Sequence, residues 1–341
     1  MPSDISGKFN DCFIVIDKPK GPTSHQVDYW VREITGISRV GHVGTLDPGV
    51  TGVLVMAMGK AVKLIDIVHE QQKEYVCVMR LYHDVDEEAL NVILREFTGK
   101  IYQIPPVRSA VARNLRERTI YSIEVMERSE KLVLFRVRCE SGTYIRTLCA
   151  DIGYALGVGA QMAELRRTVT GEFTEDGCIT LQDLKDSAEL MKNGYELPEN
   201  IRIFPMDYPL RKYPKIVAKT SALKNISLGS DLFPGGIKAV IGEPRKGERV
   251  AVFSERNDLI GTGIMLVDHD NIGDLKVLDF DRIMISPPKK ERVVKETPRE
   301  TREFRGNRRK EQNTWQFRPE RRMDRNGARK PEWKNQRKRK N

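Results

Sequence analysis

The sequence predicts an α+β fold with two folded domains, followed by a disordered basic tail. Runs in which apolar and polar residues alternate, as in strands, interleave with segments whose apolar residues recur at helical spacing. Several strand runs follow one another like hairpins, which favours a mixed or antiparallel sheet over a doubly wound fold. A chain of 341 residues with 39% apolar content is too long for one small core and apolar enough for two.

The strands and helices of the first domain can be placed in order along the chain. Strand patterns occupy residues 12–16, 53–58, 75–81 and 133–139. Helical patterns begin after Ser24 as the N-cap residue and then occupy residues 86–97, 145–156 and 180–191. Thr180 and Asp183 have the spacing of a capping box, which satisfies free backbone N–H groups at a helix start.

The second domain is predicted to be a small β-structure. An irregular segment between Pro205 and Pro214 marks the boundary, so the first domain covers residues 1–210 and the second 211–288. Beyond this boundary the chain is rich in glycine, and short strand patterns at residues 249–253 and 259–266 indicate a β-barrel or sandwich.

The positive charge of the chain is concentrated at its end. The net charge is +10, but residues 289–341 hold 21 Lys and Arg against 8 Asp and Glu, which leaves a net charge of −3 on the rest. This tail has few aliphatic residues and cannot bury enough apolar surface to order itself. Its arginines and its aromatic residues, Trp315, Phe317 and Trp333, could bind a nucleic acid, or the tail could serve only for solubility.

Several classes of protein are disfavoured by composition. No stretch approaches the roughly 20 apolar residues of a membrane helix. The first nine residues lack an apolar signal core, so the cytoplasm is the expected location. The five cysteines form no C-x-x-C pair, which argues against a zinc ribbon or a disulfide framework. No metal site is predicted either, because the histidines show no ligand spacing: His25, His42, His69, His83 and His269.

The most informative segment is residues 39–54, which read RVGHVGTLDPGVTGVL. Four glycines and one proline predict a turn-rich loop that leads directly into an apolar strand. An acid on such a loop at the edge of a sheet is a common catalytic placement, and here that acid is Asp47. Asp47 and Pro48 could equally just start a turn, and local composition alone favours that simpler interpretation.

This segment resembles the nucleophile motif of the TruB family of pseudouridine synthases, in its archaeal and dyskerin-like branch. Four more segments fit this family in order: DKPKGPTSH at 17–25, KEYV at 73–76, ESGTYIRTL at 140–148 and GVGAQMAELRRTVTGEF at 157–173. Residues 214–285 are similar to a PUA domain, a small RNA-binding module. The likeness covers nearly all of residues 13–285, and several ordered motifs are far more specific than one.

The resemblance implies three catalytic residues: Asp47, Tyr75 and Arg146. Asp47 would act as nucleophile at C1′ of the uridine or as base at the neighbouring 2′ position. Arg146 is expected to be buried and to hold Asp47 in a bidentate pair, although a plain core salt bridge is the alternative. Tyr75 would stack on the base with its hydroxyl near C5, unless it is only a core aromatic.

Five further residues are implied to bind the substrate: Lys18, His42, Leu165, Arg108 and Arg113. A uridine in folded RNA must be extruded to react, and the resemblance implies that His42 fills the vacated stack. As a lone loop histidine it could instead be a neutral capping residue. Arg108 and Arg113 would belong to a mobile loop that grips phosphates, where the simpler interpretation is a solvated loop.

The implied function is an RNA isomerase that needs no redox cofactor, because the reaction neither adds nor removes atoms. Its expected substrates are tRNA, at the T-loop uridine numbered fifty-five, and rRNA, as the catalytic subunit of an H/ACA guide-RNA complex. Expected partners are these RNAs, the guide RNA and the small H/ACA ribonucleoprotein subunits, with no membrane. The alternative is a non-catalytic RNA-binding scaffold, but such a scaffold has no use for Asp47, Tyr75 and Arg146 together.

Overall fold

The computed structural model describes residues 5–106 and 112–287 and places their strands in two sheets. The helices are α1 (Ile5–Phe9), α2 (Ser24–Thr35), α3 (Ile65–Glu70), α4 (Glu87–Glu96), α5 (Ile145–Ala155), α6 (Leu181–Lys192) and α7 (Thr220–Ser227). The first sheet contains β1 (Cys12–Lys18), β2 (Val40–Val43), β3 (Thr51–Met58), β4 (Lys73–Leu81), β5 (Gly99–Gln103), β6 (Arg116–Ser129), β7 (Leu132–Cys139), β8 (Ala160–Thr170), β9 (Phe173–Thr174), β10 (Cys178–Ile179) and β11 (Phe204–Pro205). The second sheet contains β12 (Lys215–Ala218), β13 (Ile237–Ile241), β14 (Arg249–Ser254), β15 (Leu259–Met265) and β16 (Leu278–Ile283). The predicted disordered tail lies outside the described residues.

The first sheet is mixed, as the sequence predicts. Its main path is β10-β1-β3-β8-β4-β7-β6-β5, with β11 added to β1, β2 to β3 and β9 to β8. The pairs β1–β10 and β3–β8 are parallel, and the other pairs are antiparallel. The β3–β8 pairing, of Thr51 with Arg166 and of Gly52 with Arg167, brings the end of the 39–54 motif beside β8.

Strand β1 is buried on both faces, and its alternation separates two cores. Ile14 and Ile16 pack into a cluster with residues of α2, α5 and α6. Phe13 and Val15 point to the opposite face, where they belong to a cluster that also contains Phe253 of the second sheet. The two sheets therefore share a buried apolar core.

The second sheet has the order β13-β12-β14-β15-β16, in which only β12 and β14 run parallel. It has a core of its own around Ile216, Val250 and Val252. This β-rich architecture agrees with the predicted second domain.

Polar contacts join the second sheet to α3 and to the residues just before it. Arg249 of β14 contacts Glu70 at 2.6 Å, and Arg282 of β16 contacts Asp66 at 2.8 Å. Lys63, just before α3, donates to the carbonyl of Ile283 at 2.8 Å. A short helix of the first domain is thus held at both ends by the second.

Two local expectations differ from the structure. The N-cap of α2 is Thr23, whose hydroxyl accepts from the backbone of Gln26, so the expected Ser24 cap is wrong. Ser24 is buried instead, because its hydroxyl exchanges two hydrogen bonds with the backbone of Leu46. The capping box of Thr180 and Asp183 is confirmed. Among the described residues, no helix is both long and apolar enough to cross a bilayer.

Candidate active site

Four of the predicted site residues line one cavity of about 420 Å³ in the first domain: Asp47, Tyr75, Arg146 and Leu165. They come from four separate parts of the chain: the loop between β2 and β3, β4, the first turn of α5, and β8. The cavity has the size of a small-molecule or nucleoside pocket, whose usual range is roughly 300–1,000 Å³.

Hydrogen bonds from neighbouring segments hold the loop that carries Asp47 in place. The ammonium of Lys18 donates to the carbonyls of Val50 at 2.8 Å and Pro48 at 3.4 Å. The backbone N–H of Gly21 also donates to Pro48, at 2.8 Å. With the Ser24–Leu46 contacts, these bonds hold the backbone on both sides of Asp47. The side chain itself is 50% exposed in the cavity.

Asp47 and Arg146 are in contact, but the pair is not buried. Nη2 of Arg146 donates to Oδ2 of Asp47, so one nitrogen rather than the guanidinium fork makes the contact. Arg146 is 43% exposed, which corrects the expectation of a buried arginine: the first turn of α5 reaches the cavity rim. Exposed ion pairs contribute about 0–1 kcal/mol to stability. This pair therefore orients Asp47 more than it stabilises the fold.

Tyr75 lies half-buried on the wall of the cavity. Its partner across the β4–β8 ladder is Arg167, next to an irregularity in the register. Burial raises the pKa of the phenol, and the Arg167 guanidinium beside it acts in the opposite direction. Tyr75 is thus a neutral phenol at physiological pH; it lines the cavity, and its hydroxyl oxygen accepts a hydrogen bond from Arg167.

The comparisons with known proteins identify the family. Residues 32–145 match the N-terminal domain of the TruB family of pseudouridylate synthases, 146–211 the tRNA pseudouridylate synthase B C-terminal domain, and 214–283 the PUA domain. The chain belongs to the TruB family. It is therefore a pseudouridine synthase, an RNA isomerase.

Relatives of known name and structure agree with this family. The probable tRNA pseudouridine synthase B of Picrophilus torridus is 62% identical over 274 residues, covering 80% of this chain and 78% of the relative. That of Methanocaldococcus jannaschii is 46% identical over 260 residues, covering 76% and 77%. A chain in the crystal structure of a Cbf5–Nop10–Gar1 complex superposes with a TM-score of 0.76 at 40% identity, covering 83% of this chain and 87% of that one. A chain in the structure of an H/ACA RNP bound to a substrate RNA containing 2′-deoxyuridine gives 0.75 at 38%, covering 82% and 87%.

Two buried cations of this synthase also line the cavity, and neither was predicted from the sequence. Arg167 is 1% exposed and donates to the carbonyls of Val53 at 2.8 Å, Gly44 at 2.9 Å and Val43 at 3.3 Å. It therefore ties β8 to both ends of the Asp47 loop. Desolvation lowers its pKa, but a guanidinium stays charged in proteins.

The second buried cation is Lys73, at the start of β4. Its ammonium donates to the carbonyls of His69 and of Gln71, the latter at 2.6 Å, and so fixes the C-terminus of α3 beside the cavity. Burial and the Arg167 charge lower the pKa of Lys73 to about 7. A signal was available for Lys73, which starts the alternation of Tyr75, Cys77 and Met79 in β4, whereas the polar sequence of β8 offered none for Arg167.

The remaining predicted residues do not line the cavity. Lys18 is fully buried and occupied with the loop carbonyls, a geometry that supports loop positioning. His42 lies on β2, with its ring between Asp28 at 2.8 Å and Thr45 at 3.2 Å. Arg113 is exposed and donates to the carbonyl of Pro105 at 3.2 Å. Arg108 lies outside the described residues. Substrate contact by these four residues stays a prediction.

Tyr75→Phe is expected to reduce catalysis without weakening RNA binding, because the ring is kept and only the hydroxyl is lost. A hydroxyl that takes part in proton removal contributes about 100-fold or more to the rate. The measurement is the single-turnover rate at saturating RNA, with Tyr102→Phe as the control, since Tyr102 is exposed on edge strand β5. An unchanged rate would limit Tyr75 to stacking.

Proposed function

We propose that this synthase isomerises uridine to pseudouridine in tRNA, at T-loop uridine fifty-five, and in rRNA as the catalytic subunit of an H/ACA guide-RNA complex. The observation that carries the proposal is the placement of Asp47, half-exposed and in contact with Arg146, in the same cavity as Tyr75. The names of the relatives support the tRNA substrate, and the H/ACA complexes among the structural neighbours support the guided one.

The residues of the cavity suit the chemistry of this isomerisation. The N1–C1′ bond of uridine breaks, the uracil turns, and a C5–C1′ bond forms while the proton on C5 is removed and N1 is protonated. The Asp47 carboxylate attacks C1′ or removes the 2′ proton, and both routes use an ionised oxygen beside the sugar. Tyr75 stacks on the uracil with its hydroxyl near C5. The cavity admits one nucleotide, so the uridine leaves its stack before it reacts, which costs a few kcal/mol.

The second domain has a separate role in this proposal. We keep the predicted division into residues 1–210, 211–288 and 289–341, in which the first domain catalyses and the PUA domain places the RNA. The small subunits Nop10 and Gar1 accompany Cbf5 in the structural neighbours, and we propose that this chain binds corresponding proteins. The expected cytoplasmic location is part of the same proposal.

The test is pseudouridine formation by the purified full chain on two substrates. One is unmodified tRNA alone, and the other is an rRNA fragment with its H/ACA guide RNA and the small subunits. We expect modification of both, with the guided substrate dependent on the guide. Activity on only one would remove the other half of the proposal. Inactivity on both, with RNA binding retained, would favour the non-catalytic scaffold.

Arg146→Lys is expected to lower turnover although the positive charge is kept. The lysine ammonium is a compact point charge at the end of a flexible alkyl chain, whereas the arginine guanidinium is planar. The ammonium therefore does not occupy the position from which Nη2 of Arg146 donates to Oδ2 of Asp47. A misplaced carboxylate should cost roughly 10- to 100-fold in single-turnover rate. Arg95→Lys is the matched control, because Arg95 is an exposed residue of α4. Full activity of Arg146→Lys would show that charge alone suffices.

A further inference from the structure

A second polar cluster lies where α2 packs against β2, outside the residues that line the cavity. His25 and Asp28 are three residues apart on α2 and so share one face of the helix. His42 of β2 faces them. Each residue offers one ligand atom, and these three atoms all lie within 4.8 Å of one another. The three side chains therefore converge on a common point.

Two distances within this cluster lie on either side of the spacing expected for ligands around one metal ion. Nδ1 of His42 lies 2.8 Å from Oδ2 of Asp28, and Nδ1 of His25 lies 3.6 Å from the same oxygen. Two ligands of one tetrahedral zinc ion are about 3.4 Å apart, because zinc–nitrogen and zinc–oxygen bonds are about 2.1 Å long. The two imidazole rings stand nearly perpendicular, with centroids 4.9 Å apart. The spacing thus leaves room for an ion between them.

The burial of Asp28 supplies a second, independent indication. Its side chain is only 9% exposed, and within residues 5–106 and 112–287 its Oδ1 has no hydrogen-bond donor. A buried carboxylate oxygen without a partner is costly, because it has lost its water and gained nothing in return. Nδ1 of His42 contacts only the other oxygen, Oδ2. A cation held by both carboxylate oxygens would give Oδ1 a partner and would take the place of the His42–Asp28 hydrogen bond.

We propose that His25, Asp28 and His42 form a binding site for a divalent transition-metal ion, with Zn²⁺ as the expected occupant. Two imidazoles and one carboxylate favour such ions over Mg²⁺ or Ca²⁺, which take oxygen ligands. The Nε2 of His42 lies 3.2 Å from the hydroxyl of Thr45, a contact that orients the ring as the hydrogen-bond partners of metal-bound histidines do. His25 is 83% exposed, so the ion enters from solvent and keeps a water as its remaining ligand.

The bound ion would cross-link α2 to β2 immediately before the loop that carries Asp47. His42 is three residues from Thr45, which lines the cavity. The site therefore fixes the start of this loop. Metal binding is predicted to raise the melting temperature as any ligand of the native state does.

The test uses the full chain stripped of metal by a chelator and titrated with Zn²⁺, and with Co²⁺ as a spectroscopic probe. We expect one equivalent to bind, with Co²⁺ absorption bands typical of nitrogen and oxygen ligands. His25→Gln is the main variant, because His25 is exposed and its loss should not disturb folding. Removal of one ligand should weaken binding by about 100-fold or more. His83→Gln, at an exposed histidine of the loop after β4, is the matched control.

Two results would overturn the proposal. The first is the absence of binding by the wild-type chain at micromolar Zn²⁺. The second is equal affinity of wild type, His25→Gln and Asp28→Asn, which would place the metal elsewhere. Because the readouts are metal stoichiometry and absorption, the outcome does not depend on pseudouridine formation.

Discussion

Asp47→Asn is expected to abolish pseudouridine formation while leaving the melting temperature close to that of the wild type. The amide is nearly the same size, but it can neither attack C1′ nor accept a proton from the sugar. The side chain is half-exposed, and its pair with Arg146 contributes little to stability. Loss of a group that acts directly in the reaction costs on the order of 10⁴-fold or more in rate.

The measurement is the single-turnover rate on one RNA, together with a thermal melt of each protein. Asp84→Asn is the matched control, because Asp84 is an exposed aspartate outside the cavity. Turnover of Asp47→Asn within about tenfold of wild type would remove Asp47 from the chemistry. A large fall in melting temperature would instead show a structural role.

Gly52→Ala is expected to have the largest effect on stability. Gly52 is the second residue of β3 and has a φ of +98°, a conformation that L side chains rarely adopt. A Cβ there would lie 2.2 Å from the carbonyl oxygen of Arg167, which is backbone in the paired strand β8 and cannot move aside as a flexible side chain would. Strain and overpacking together should cost about 3 kcal/mol or more of unfolding free energy.

The same substitution should also reduce activity, since displacement of Arg167 would release the carbonyls of Val43 and Gly44 before Asp47. Gly49→Ala is the control, because Gly49 lies in the loop just before β3, has no positive φ, and a Cβ there meets nothing within 4 Å. Denaturant unfolding of both variants gives the comparison. Similar stability of Gly52→Ala and Gly49→Ala would mean that the β3–β8 contact is not tight in solution.

Elements with strong local signals could be predicted from the sequence, but elements that depend on tertiary contacts could not. The alternation in β4 and β7 and the capping box at Thr180 are local, and the structure confirms them. Strand β6 was not predicted at all, and its first residues, 116–118, read as part of a charged loop. Its 14 residues are formed by pairing with β5 and β7 on either side, a long-range contact that leaves little pattern in the charges.

The site shows the same division between local and long-range information. The motifs and their resemblance to a family predicted Asp47, Tyr75, Arg146 and Leu165, and the structure places them in one cavity. Their environments could not be predicted, because the exposure of Arg146 depends on where α5 begins relative to the cavity. For the same reason, histidine spacing gave no sign of the His25–His42 cluster, whose members are adjacent only after α2 packs on β2.

Helix α3 connects the second sheet to the wall of the cavity. Its outer side carries Asp66 and Glu70, the acids that hold the arginines of the second sheet. Its last turn carries His69, which borders the cavity. We therefore expect a displacement of the PUA domain by bound RNA to be transmitted to the wall of the cavity through α3, which is less than two turns long. Because these acids and arginines lie partly in solvent, we expect salt to weaken their ion pairs and, through them, to change the catalytic rate as well as RNA binding.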